Sequence, residues 1–208
     1  MNSKALFPEL AKVVEQVEKV QIPLDRKAVL QPLIDYIQEK TARDQEVHLN
    51  FICTHNSRRS QFSQLWAHLA AYYYGIPAHC YSGGVEVTAF NERAVASIQR
   101  FGFSVEGNTD VNNPIYLVQH HEDIAPLRMF SKLFDDPENK APAFAAVMTC
   151  AHADENCPFV PGTEQRIAVR YQDPKAFDDT PEEASRYDQR SMQIASEMFY
   201  VFAQIKLN

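Results

Sequence analysis

Five residues separate Cys53 from Arg59 in the run Cys53-Thr54-His55-Asn56-Ser57-Arg58-Arg59-Ser60. A thiol and a guanidinium at this spacing can act together on a tetrahedral oxyanion. The sulfur attacks the central atom, and the planar fork binds two of its oxygens at once. Ser60 offers a hydroxyl that can donate to the sulfur. Two further cysteines, Cys150 and Cys157, stand seven residues apart. Thiols so placed can exchange a disulfide, provided the segment between them bends or unwinds. Asp173 precedes Pro174 just after a predicted strand, which places a carboxyl at the carboxyl end of that strand. Each group also has a plainer reading: a buried cysteine ending a strand, two solvated arginines, two inert thiols and a turn aspartate.

The elements around these residues decide between the readings. VHLNFIC alternates and then turns apolar, the pattern of a buried strand ending at Cys53. THNSRRS is a polar loop. QFSQLWAHLAAYYYG reads as a helix stopped by Gly75. A loop joining a buried strand to a helix faces the positive end of the helix dipole, which suits an oxyanion and equally a thiolate. AHCYSGG reads as a strand running into a glycine turn, and NERAVASIQRFG as a helix closed by Gly102. FAAVMTC is a second buried strand ending at Cys150, ADENCPFVPG a loop, RIAVRY a strand, and Ala184 to Leu207 a closing helix. Strands alternating with helices indicate an α/β domain built on an open parallel sheet flanked by helices. Three of the four cysteines fall at or just past the carboxyl end of a strand, where such sheets bind ligands.

The first 45 residues have a different texture. Leu6, Leu10, Val13, Val14, Val17 and Val20 make one helical stripe, and Leu30, Leu33, Ile34 and Ile37 a second. Pro32 fits a first turn, which puts the start of the second helix near Gln31. Residues 1–45 therefore read as a helical extension, for packing or dimerisation, and 46–208 as the α/β domain. Residues 108–140 are the least regular stretch.

Composition bounds the function. Lys and Arg total 20 against 27 Asp and Glu, a net charge of −7, which argues against a nucleic-acid partner but not against one local anion pocket. No window is apolar enough to span a membrane, and the N-terminus lacks a signal-peptide pattern. The expected compartment is the cytoplasm, where thiols stay reduced.

Several of these runs resemble a known family. ICTHNSRRSQ looks like the phosphate-binding loop of low-molecular-weight protein tyrosine phosphatases and of thioredoxin-coupled arsenate reductases, which share that fold. CYSGGVE and NERAV resemble the strand, turn and helix start that follow. TCAHADENCP resembles the redox loop of the arsenate reductases specifically, and YQDP their Asp-Pro loop. The motifs occur in the family's order over roughly residues 47–205.

The resemblance implies roles. Cys53 is the nucleophile, Arg59 holds the oxyanion, Ser60 stabilises the thiolate, and Asn56 fixes the loop formed with Thr54, His55, Ser57 and Arg58. Asp173 is the general acid. Cys150 and Cys157 carry a disulfide relay regenerated by thioredoxin, with arsenate as substrate. A phosphatase acting on a phosphotyrosine protein would use only Cys53, Arg59 and Asp173. A non-catalytic phosphopeptide- or anion-binding module is a third reading, against which the complete Cys-Arg-Asp set speaks.

There are departures. His55 stands where the family usually has Gly, which carries strain if the site needs φ > 0. Arg58 replaces the second loop cysteine and adds positive potential. Gln64 stands where the reductases place a potassium-binding Glu, so that site is not carried over and no cofactor is implied. Cys150, His152, Asp154 and Cys157 are zinc-ligand types, but their spacing matches no common short zinc motif. Cys80 reads as a small buried residue. Tyr72-Tyr73-Tyr74 reads as packing, and His120-His121 as a solvated loop pair.

Overall fold

The computed structural model describes residues 6–107, 111–139, 141, 143–156 and 160–207. Four parallel strands form the main sheet: β1 (Val47–Cys53), β2 (Ala78–Gly84), β6 (Phe144–Met148) and β7 (Thr163–Ala168), in the order β2-β1-β6-β7. β1 is central and buried throughout. Its odd-numbered apolar residues Val47, Leu49 and Phe51 enter the large core, joined by Ala145 and Val147 of β6. Ile52, Cys53, Ala146, Met148 and Cys150 enter a smaller core on the other side. A strand buried on both faces must be apolar at every second position on each, hence the near-continuous hydrophobic runs.

Helix α3 (Arg59–Tyr74) packs on β1 and β2, and α6 (Glu183–Ala203) packs on α3. Trp66 joins them: its ring meets Phe101, Phe103 and Phe199 edge-on, and its indole N–H donates to Ser191 Oγ at 2.9 Å. Gly75 ends α3 with φ 72°, the left-handed geometry glycine adopts without steric cost. Helix α4 (Glu92–Arg100) starts at Asn91, whose side chain accepts from Arg93 N–H.

Three elements differ from the sequence expectation. Helix α2 spans Leu24–Ala42, so Pro32 lies inside it rather than in its first turn. Pro32 removes one backbone bond, and contacts on both sides hold the helix. Arg26 grips the buried Glu197 at 2.6 Å before the proline; beyond it Tyr36 donates to Glu164 at 2.8 Å and Lys40 pairs with the same carboxylate at 2.7 Å. Helix α1 (Pro8–Val17) also packs on α6, with Leu10, Val14 and Val17 in the large core. Second, the irregular stretch contains order: β4 (Tyr116–Gln119) and β5 (Leu127–Met129) lie within it and form an antiparallel sheet with β3 (Ser104–Gly107), which precedes it. Third, the first part of the expected loop after Cys150 is a short helix, α5 (Ala151–Asn156).

His120 is likewise not solvated. It is 2% exposed, against Tyr72 and 5.5 Å from the His68 ring, and neither of its ring nitrogens has a partner among the described residues. Burial, and then the neighbouring histidines, push both His68 and His120 down to about 4 from an ordinary 6.5. Their folded values are depressed, so the unfolded chain takes up protons first, and stability falls as pH drops from 6.5 to 4. His120→Phe is expected to flatten that fall in melting temperature. Equal slopes for variant and wild type would contradict it.

Candidate active site

Cys53 is the last residue of β1, and α3 begins at Arg59, so the polar run 54–58 crosses the carboxyl edge of the sheet. Arg58 precedes α3 without a side-chain cap, which leaves the first turn's N–H groups facing the loop. Cys53 Sγ lies 3.1 Å from Ser60 Oγ. Ser60 Oγ also accepts from Asn56 Nδ2 at 2.9 Å, so its own proton is free to point at the sulfur.

Asn56 is the centre of the loop. It is fully buried with φ 45°, and its Oδ1 accepts from Lys132 N–H at 3.0 Å while its carbonyl accepts from Gln61 Nε2 at 2.9 Å. The left-handed residue is thus Asn56 and not His55, and asparagine is among the side chains that tolerate that region best. His55 instead points outward, 3.1 Å from Glu86, and its carbonyl accepts from Ser131 Oγ at 2.8 Å. The Ser57 carbonyl accepts from Asn91 N–H at 3.0 Å.

Arg59 reaches forward from α3. Its guanidinium donates to Asp173 Oδ2 at 2.6 Å and to the Tyr171 carbonyl at 3.1 Å. Its buried Nε–H has no partner among the described residues. Asp173 Oδ1 also accepts from Lys175 N–H at 3.1 Å, capping the turn Pro174–Phe177. Arg58 adds less to the loop's potential than its charge implied. Its Nε donates to Tyr187 at 2.7 Å, and its far nitrogen reaches Asp178 at 3.3 Å. That pair ties the loop to the segment behind Asp173.

On the other side, β6 carries Cys150 to the same edge. Thr54 Oγ1 lies 3.5 Å from Cys150 Sγ and 3.3 Å from His152 Nδ1. Cys53, Cys80 and Cys150 are free thiols. Burial pushes the Cys80 thiol far up, and Cys80 lies outside this constellation on β2. Cys157 falls outside the described residues. Of the zinc-type side chains, Asp154 is held by Arg166 at 3.0 Å and Arg170 at 2.5 Å. Gln64 spends its amide on Ser82 Oγ at 2.6 Å and the Cys80 carbonyl at 3.1 Å. A neutral brace of this kind does not fit a potassium site built on a carboxylate.

Sequence reasoning missed the supports: Gln61, Ser131, Lys132 and Tyr187. Lys132 is 3% exposed beside the Phe130 ring, and burial lowers its ammonium to about 8. No local pattern marks these residues, because each meets the loop only through the tertiary fold. A cleft of about 500 Å³ opens beside the loop, lined among others by His55, Arg58, Phe90, Asn91 and Tyr116.

No family model matches the chain. Known relatives do. It is 27% identical over 157 residues to an arsenate reductase of Bacillus licheniformis, covering 74% of this chain and 93% of the relative. It is 26% identical over 133 residues to an arsenate reductase of Halalkalibacterium halodurans, covering 64% and 78%. Solved low-molecular-weight phosphotyrosine phosphatases from Vibrio cholerae and T. tengcongensis superpose with a TM-score of 0.50 each. Their identities are 10% and 14%, over 76% of this chain and 95% and 99% of theirs, a likeness of fold.

Proposed function

Because the chain belongs to the low-molecular-weight protein tyrosine phosphatase superfamily, near its arsenate reductases, we propose that it reduces arsenate through Cys53, Cys150 and Cys157, with thioredoxin restoring the thiols. The observation that carries the reading is Cys150, brought by β6 to within one hydroxyl of the oxyanion loop. A phosphatase has no need of a second thiol there.

In this reading the Cys53 thiolate attacks arsenic. One arsenic–oxygen bond breaks, and the leaving oxygen takes a proton from Asp173 and departs as water. Arg59 and the first turn of α3 hold the remaining oxygens. Cys150 then attacks Cys53 Sγ. The sulfur–arsenic bond breaks with its electron pair on arsenic, which leaves as arsenite, and the two thiols are oxidised to the Cys53–Cys150 disulfide. Cys157 attacks Cys150, frees Cys53, and the Cys150–Cys157 disulfide passes to the dithiol of thioredoxin.

The cleft beside the loop favours a second reading, hydrolysis of a phosphotyrosine protein, because an inorganic oxyanion fills little of it. Cys150→Ser separates the two. Arsenate reduction is expected to vanish while hydrolysis of an aryl phosphate survives. A wild type that reduces no arsenate but cleaves phosphotyrosine would establish the second reading. Binding of a phosphopeptide with neither activity would leave only the anion-binding module.

Asp173→Asn gives a further expected result. Asparagine keeps the cap on Lys175 N–H but has no proton of the right acidity to give. We expect kcat to fall about a hundredfold, measured at saturating substrate, with the melting temperature lowered only by the weakened pair with Arg59. A kcat within a few-fold of wild type would remove Asp173 from the acid role.

A further inference from the structure

Thr54 stands between two groups able to exchange a proton. Its Oγ1 is 3.5 Å from Cys150 Sγ and 3.3 Å from His152 Nδ1. Its backbone is pinned, since its carbonyl accepts from both Val85 and Glu86 N–H at 2.9 Å. The Cys150 sulfur is steadied as well, by Ala153 N–H at 3.4 Å. A hydroxyl can accept a proton on one side while donating its own on the other.

We propose that His152 is a positioning residue for the second thiol step, drawing the Cys150 proton through Thr54 so that Cys150 attacks as a thiolate. The proposal rests on the reductase reading above. In the step, Cys150 S–H passes its proton to Thr54 Oγ1 as Thr54 passes its own to His152 Nδ1. The Cys150–Cys53 sulfur bond forms, and the bond from Cys53 to its leaving group breaks with its electron pair on that group. Imidazole suits the task because a neutral ring carries one nitrogen that can accept a proton. The acidic side chains near it on α5 are paired. From α5, Asp154 is paired with Arg166 and Arg170, and Glu155 with Arg170. Arg170 also acts electrostatically on Cys150.

A test free of arsenate keeps this inference apart from the reading it builds on. Cys80→Ser and Cys157→Ser are combined, and Cys53 is converted to its mixed disulfide with thionitrobenzoate. Attack by Cys150 on Cys53 Sγ then releases coloured thionitrobenzoate in one turnover. His152→Ala is expected to slow the release about tenfold at neutral pH, less than a base in direct contact supplies. It is also expected to change the dependence of the rate on pH. Thr54→Val should do the same, and adding it to His152→Ala should cost nothing more. His152→Gln, which keeps a hydrogen-bonding group but cannot titrate, should not restore the rate. An unchanged pH profile in His152→Ala, or full rescue by His152→Gln, would overturn the proposal. Failure of the wild type to reduce arsenate would overturn the reductase reading and leave this measurement standing.

Discussion

Arg59→Lys is expected to lower kcat/KM about a hundred- to a thousandfold, for arsenate reduction and aryl phosphate hydrolysis alike. The charge survives the change, and the geometry does not. In the wild type one arm of the guanidinium holds Asp173 at 2.6 Å, a second holds the Tyr171 carbonyl at 3.1 Å, and the Nε–H has no partner among the described residues. One planar group can thereby position Asp173, brace the loop after β7 and still present a free N–H donor. An ammonium is a single point with no fixed fork. The two activities should fall together because both need the oxyanion held. Steady-state kinetics on both substrates checks this, and a variant that lost only one activity would refute a shared anion site.

The second large effect comes from two glycines. A Cβ on Gly83 would sit 2.2 Å from Phe134 Cα and 2.6 Å from Phe134 N. Those are backbone atoms, and the strip they belong to is fastened: Gly84 N–H donates to the Lys132 carbonyl, Phe134 N–H to the Gly84 carbonyl, and Asn50 to the Phe134 carbonyl. Gly83→Ala is expected to cost about 3 kcal/mol or more, read as a lower denaturant midpoint. A Cβ on Gly84 would sit 2.8 Å from Asn56 N and 2.9 Å from the Thr54 carbonyl, pressing on the oxyanion loop itself. Gly84→Ala should therefore lose proportionally more activity than stability. The idea fails if Gly83→Ala unfolds at the wild-type midpoint, or if Gly84→Ala keeps full activity.

The parts of the molecule legible in its sequence are those whose signal is local. β6 is apolar at every position and β1 at all but His48 and Asn50, because both faces are buried, and Gly75 marks the end of α3 by its own conformational freedom. The spacing from Cys53 to Ser60 carries one strand end and one helix turn, so it survives into three dimensions. Tertiary contacts set what was misread. Pro32 breaks an isolated helix, but Arg26, Tyr36 and Lys40 hold α2 on both sides of it. β3, β4 and β5 are four, four and three residues long, too short for an alternation to stand out. The positive φ falls on Asn56 because its side chain and carbonyl are claimed by Ser60, Lys132 and Gln61. Arg58 looks like a loop charge until Tyr187, from the closing helix, appears beside it.

The strand order has a consequence for the timing of synthesis. β1 pairs with β2 within one short crossover, yet its other neighbour is β6, so that Leu49 meets Ala145. At ribosomal rates the interval between residues 53 and 150 is on the order of 5–20 s. Throughout it, one edge of β1 has no strand beside it. The helix α6 that covers Trp66 and receives Arg26 comes later still. The nascent chain thus holds the Cys53 thiol for seconds before its sheltering strand and Cys150 exist. Closing so long a loop also taxes the search for the native pairing.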